Sequence, residues 1–247
     1  MQTNPLRAAL ERGELQIGTW VNLVRNPAIL TLLKAAGLDF ARVDMEHTAA
    51  SMESIANMAL LSRALNFPIA VRPPEANREW ITRLLDCGVW NLHCPQVENA
   101  AHAAEIVAAS RYAPRGLRGN AGHSPGTDYD MTGTAAERRA FANRQVFVTV
   151  MFETAAAFDD LDAIAAMDGI DALTIGPADL AQELACLARR NRRGCWTKGA
   201  TSCWRRRKST ARRVRCCVPA RSRRSNGRRP ARCCWRIPAT ARCCMAR

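Results

Sequence analysis

From residue 18 onward, short apolar runs alternate with longer amphipathic ones, with a repeat of roughly 25–30 residues. Strands are expected over 18–23, 40–47, 68–74, 89–97, 146–153 and 172–176. Helices are expected over 26–37, 51–66, about 78–87, 98–112 and 155–167. Asn26 and Ser51 stand where N-caps belong, Pro27 suits a first helical position, and Gly37 suits the residue past a helix end. Six β–α units in series require a parallel sheet covered by helices, closed as a barrel or left open as a doubly wound sheet. No Gly-x-Gly-x-x-Gly turn follows the first strand, which disfavours the open dinucleotide-binding fold. A closed barrel needs two further units, and the alternation stops near residue 185. The expected architecture is therefore α/β: an incomplete (β/α)8 barrel with about six units.

Charge divides the chain at the same place. The formal net charge of +14 on 247 residues suggests a nucleic-acid or membrane-surface partner. All 22 acidic residues, however, lie between Glu11 and Glu183, and residues 1–185, with 15 basic ones, carry a net charge of −7. Residues 186–247 hold the remaining 21 of the 36 basic residues and no acid. They also hold nine of the 11 cysteines and only four large aliphatic residues: Leu187, Val214, Val218 and Ile237. A packed core needs far more. Arg, Ala, Cys, Trp, Pro and Ser dominate there, as they do when GC-rich DNA is read out of frame. The expectation is a partial barrel over 1–185, followed by a disordered Cys/Arg-rich segment over 186–247. A shift of frame after 183–185 or a genuine basic tail would each explain that segment. The Cys-Cys pairs at 216–217, 233–234 and 243–244 lack the spacing of zinc ligands.

Cys87 and Cys94, the two cysteines of the body, suit a reducing cytoplasm. The charged N-terminus does not read as a signal peptide, and no run approaches the ~18 apolar residues of a membrane helix. The expected setting is soluble and cytoplasmic, with no specific nucleic-acid partner and no membrane.

In β/α barrels, chemistry gathers at the C-terminal ends of the strands. Those ends read Trp20, Asp44-Met-Glu-His47, Arg72-Pro-Pro, His93-Cys-Pro, Glu153-Thr and Gly176-Pro-Ala-Asp179. Carboxylates, one Arg and one His converging on one rim suit a hard divalent cation and an anionic substrate. Glu153 and Asp179 could instead act as plain helix caps, and Arg72 as half of an ion pair. No lysine ends a strand, because Lys34 falls in a helix, which argues against Schiff-base chemistry. His93, His102 and His123 are assigned no role. The glycine-rich stretch 115–126 lacks the Gly-Lys-Ser/Thr ending of a phosphate loop, and is expected to form a mobile lid near the site, of this subunit or a neighbouring one.

The segments Gly18-Thr-Trp20, Asp44-Met-Glu-His47, Val71-Arg-Pro-Pro74, Leu84-Leu-Asp86-Cys-Gly88, Phe152-Glu-Thr154 and Gly176-Pro-Ala-Asp-Leu180 together resemble the HpcH/HpaI aldolase family, in order from about residue 5 to 185. The resemblance implies a barrel of the phosphoenolpyruvate/pyruvate type, usually hexameric. It also implies a class II aldolase that cleaves 4-hydroxy-2-oxo acids to pyruvate (or a related 2-oxo acid) and an aldehyde. Glu153 and Asp179 would hold the divalent cation, Mg2+ or Mn2+ with Co2+ a further option. Arg72 would contact the 2-oxo group, His47 would serve acid/base catalysis oriented by Asp44, and Asp86 would assist that His. Trp20 would wall the substrate pocket, and backbone around Gly176, Pro177 and Ala178 would bind the carboxylate. Met151 stands where many members carry Gln. A CoA-ester lyase or condensing enzyme on the same barrel, or an inactive product of a damaged gene, are the rival readings. A basic nucleic-acid-binding protein is the weakest.

Overall fold

The computed structural model describes residues 1–183 and two strands, 215–220 and 232–235. Its elements are α1 (Pro5–Glu11), β1 (Gln16–Val21), α2 (Ile29–Ala35), β2 (Phe40–Asp44), α3 (Met52–Ala64), β3 (Ile69–Arg72), α4 (Arg78–Asp86), β4 (Asn91–Cys94) and α5 (Ala100–Ser110). They continue with α6 (Ala135–Gln145), β5 (Phe147–Phe152), α7 (Ala155–Asp159), α8 (Leu161–Ala166), β6 (Ala172–Ile175), α9 (Pro177–Glu183), β7 (Arg215–Ala220) and β8 (Arg232–Trp235). β1 to β6 pair in sequence order and all in parallel, curling into most of a barrel with helices outside.

The six β–α units expected are present, and two strands that the sequence did not announce complete the ring. β7 pairs parallel with β6, and β8 pairs antiparallel with both β7 and β1, so the backbone ring is closed. Backbone pairing makes no demand on side-chain hydrophobicity, so composition gave no sign of it. The disorder expected for the rest of 186–247 lies outside the described residues. Among the described residues, no helix is long and apolar enough to cross a membrane.

Alternation along the strands separates two cores. Ala41, Val43, Ile69, Val71, Leu92, Val148, Val150, Leu173 and Ile175 face the helices in one large apolar cluster. The other face points into the barrel. There Phe40, Phe147 and Ala172 meet Leu6 and Leu10 of α1, which closes the barrel's N-terminal end. The sequence reading gave no helix at 5–11. Its cue is Asn4, whose side chain caps α1 and whose amide nitrogen donates to Asn91 Oδ1 at 2.8 Å. Gly18 is required inside the barrel, because a Cβ there would lie 2.6 Å from the Phe40 ring.

Three local expectations change. Asn26 caps a tight turn by accepting the Ala28 N–H at 3.0 Å, and α2 proper begins at Ile29. The helix expected over 155–167 breaks at Asp160, whose carboxylate instead accepts the Ala100 N–H at the start of α5. The loop expected as a lid lies at the barrel's opposite end. Gly126 O accepts from Trp90 Nε1, and Asp128 pairs with Arg63 at the end of α3 and with the Gln2 N–H. Because α5 runs antiparallel to the strands, it delivers the chain to the N-terminal end, and β5 starts the return from there.

Candidate active site

The ends of β2 and β3 are in register, with Asp44 opposite Arg72. Both side chains point into the barrel mouth and are buried, Asp44 with 1% and Arg72 with 8% of its surface exposed. Arg72 sets Nε on Asp44 Oδ1 at 2.9 Å and Nη2 on Oδ2 at 2.6 Å, a bidentate ion pair. Its Nη1 lies 2.9 Å from Glu46 Oε2. Burial pushes the Asp44 carboxyl up. The hydrogen bond and charge of Arg72, with the N–H groups of His47 and Glu46, outweigh that and hold it below its ordinary value.

Glu153 leaves the end of β5 and is 4% exposed. Its Oε2 accepts the Gln96 N–H at 2.7 Å, which Gln96 presents from a left-handed conformation (φ 49°) just after Pro95. Gln96 also donates from its side chain to Glu46 Oε1 at 3.0 Å. Gly176, ending β6, lies directly against the Glu153 carboxylate: a Cβ there would come within 2.3 Å of Oε1. Burial raises the Glu153 pKa, and the charges of Glu46 and Asp179 add to the rise against the Gln96 N–H and Arg72. Asp179, in the first turn of α9, is exposed to solvent. Three acidic side chains therefore face one another across the mouth, with a fixed guanidinium beside them.

A model of the HpcH/HpaI aldolase/citrate lyase family matches residues 16–195. The chain belongs to this family. It is 34% identical over 184 residues to a 5-keto-4-deoxy-D-glucarate aldolase of Klebsiella pneumoniae, covering 74% of this chain and 70% of that one. It is 39% identical over 184 residues to a 4-hydroxy-2-oxovalerate aldolase of Novosphingobium aromaticivorans, covering 73% and 68%. The crystal structure of an HpcH/HpaI aldolase from Desulfitobacterium hafniense superposes with a TM-score of 0.76 at 30% identity, over 85% of this chain and 80% of that one.

Among the residues expected to serve an HpcH/HpaI site, the structure brings Asp44, Arg72, Glu153, Gly176 and Asp179 to one end of the barrel, with Trp20 just below. His47 is at the same end, but Asp44 reaches it only through the backbone, accepting its N–H at 3.4 Å. The imidazole is largely exposed, and its nearest carboxylate is Glu46, 3.6 Å from Nε2. Asp86 is a correction. It closes α4, which runs away from the rim, and pairs with the buried Arg118 at 2.7 Å. Within one chain it stands at the end of the barrel away from His47, because a helix following a strand returns antiparallel to it. Gly176 cannot offer its N–H, which donates to Phe152 O at 2.9 Å, and Pro177 has none. That leaves the first-turn N–H groups of Ala178 and Asp179, which no preceding helical carbonyl can take.

Sequence reasoning missed Glu46 and Gln96. Glu46 sits inside a quoted motif, yet strand alternation does not place it because β2 ends at Asp44. Gln96 carries no sequence signal, since its role rests on a backbone torsion and on Glu153 being 57 residues away. The residues fit a hard divalent cation. Glu46 and Asp179 disfavour the charged form of buried Glu153, and a cation would relieve that repulsion. Among the described residues, no group of three or more His, Cys, Asp or Glu is placed to hold a metal ion. Mg2+ in particular binds through one or two carboxylates and keeps open positions for water and substrate.

Proposed function

We propose that this chain is a class II aldolase that cleaves 4-hydroxy-2-oxo acids into pyruvate, or a related 2-oxo acid, and an aldehyde. The observation that carries this reading is Arg72, pinned by Asp44 and Glu46 on the rim that also holds Glu153 and Asp179. Two of the five guanidinium N–H donors are taken by Asp44, Nη1 lies 2.9 Å from Glu46, and donors remain for an incoming oxygen. Carbon–carbon cleavage leaves negative charge on the 2-oxo oxygen, and a guanidinium already fixed in place stabilises it without reorganising. His47, exposed at the mouth, takes the proton of the 4-hydroxyl and returns one to the enolate carbon; Glu46 is the carboxylate next to its ring. The N–H groups of Ala178 and Asp179 receive the substrate carboxylate. Glu153 and Asp179 would hold the divalent cation (Mg2+, Mn2+ or Co2+), which when bound supplies Lewis acidity toward the 2-oxo acid.

A homo-oligomer in the cytoplasm belongs to the same reading. The exposed Leu23, Leu32, Leu60 and Leu117 support it as surface suited to contact between copies. The test is pyruvate release from 4-hydroxy-2-oxo acids, with and without EDTA, by this chain and by a version in which two β–α units replace the segment after residue 185. Activity that EDTA abolishes and Mg2+ or Mn2+ restores is expected, the second version being the faster. Full activity in EDTA, or in Glu153→Ala, would overturn the assignment.

A further inference from the structure

The interior of the barrel just beneath the rim is polar where barrels of this size are usually filled by aliphatic side chains. Trp20 of β1 stands opposite Arg42 of β2 in the strand register. The guanidinium carbon of Arg42 lies 4.8 Å from the Trp20 ring centre, and that of Arg72 also lies 4.8 Å from it. His93 of β4 meets the same indole perpendicularly, at 5.7 Å between centres and 89°. Arg42 is 4% exposed and His93 not at all.

We propose that Trp20 is a positioning residue for Arg72, with Arg42 and His93 fixing the indole from within the barrel. The proposal rests on Arg72 being the group that receives the 2-oxo oxygen. The edges of its guanidinium are held by Asp44 and Glu46, and those contacts come from the rim side. The face of the cation is set by the indole, whose ring quadrupole attracts it most strongly where water is excluded. Arg42, a like charge at the same ring, opposes any descent of Arg72 into the barrel. His93 holds the indole's tilt as a neutral partner. Burial, with the charges of Arg42 and Arg72, keeps its imidazole unprotonated. Trp20 thus links the interior to the rim through Arg72, and need not touch the substrate to set the reaction rate.

The experiment compares Trp20→Leu and Trp20→Phe in the full chain, alone and combined with Arg72→Lys. Trp20→Leu is expected to lower kcat about tenfold with KM within twofold, and Trp20→Phe to recover most of that loss. In the Arg72→Lys background, Trp20→Leu should change kcat less than twofold, since the residue it acts through is gone. In nitrogen–proton NMR spectra, the Arg72 Nε–H resonance should carry a ring-current shift that Trp20→Leu removes. An Arg72 resonance indifferent to Trp20→Leu would overturn the proposal whatever the activity. So would a loss confined to KM that is undiminished in the Arg72→Lys background, which is the behaviour of a pocket wall. If Arg72→Lys alone leaves turnover intact while the resonance still responds to Trp20, the functional reading of Arg72 fails and the contact stands.

Discussion

Replacing Arg72 by Lys keeps one positive charge at the end of β3 and removes the planar fork. In the structure that fork donates to both oxygens of Asp44, at 2.9 and 2.6 Å, lies 2.9 Å from Glu46, and still has donors to offer. An ammonium group is a single point with three donors, so it cannot grip both Asp44 oxygens in one plane and also reach a substrate oxygen beside them. Losing one preorganised donor to a developing oxyanion costs about 2.7–4 kcal/mol, or about 10²–10³-fold in turnover. The fold should survive, because Asp44 keeps a cationic neighbour. Arg72→Met, by contrast, leaves a fully buried carboxylate unpaired and should lower stability by about 3–5 kcal/mol. The assay is single-substrate kinetics of pyruvate release at saturating Mg2+, with thermal unfolding of all three proteins alongside. Arg72→Lys turnover within twofold of the parent would refute the reasoning and make this ion pair purely architectural.

Two further outcomes are expected. Gly176→Ala drives a Cβ to within 2.3 Å of Glu153 Oε1, so the carboxylate must swing away. The rise in Tm that saturating Mg2+ or Mn2+ gives the parent, about 2.7 kcal/mol of stability at a hundred times Kd, should shrink or vanish in calorimetry. An unchanged metal-induced shift would take Glu153 out of the cation site. Asp44→Asn should destabilise the chain at neutral pH in denaturant titrations. Because the folded Asp44 pKa lies below its unfolded value of about 3.9, its contribution is present above that value and is lost as pH falls through the folded one. The gap between parent and variant should therefore close below about pH 4, and a gap constant with pH would mean that Asp44 is not the charged partner of Arg72.

The sequence by itself determined the period of the fold and the inventory of the rim. Alternating apolar runs gave six strands and their helices because burial on both faces of a parallel sheet leaves that pattern in any such chain. Strand ends carrying Asp44, Arg72, Glu153 and Asp179 were legible for the same reason, as ionisable residues closing apolar runs. The tertiary structure decided which of them meet. Asp44 was expected on the His47 ring and instead grips Arg72, because the two lie in register on neighbouring strands while His47 has already left β2. Asp86 and the 115–126 loop were expected at the site and lie at the far end, where antiparallel helices deliver them. Gln96 reaches Glu153 through a left-handed turn that no residue pattern announces. Arg42, Trp20 and His93 are scattered over 74 residues and become one cluster only when three strands turn the same face inward. A one-dimensional pattern records how far each residue is buried, since burial acts on residues singly. Which buried groups touch depends on strand register and helix direction, and those are set only when the barrel curls.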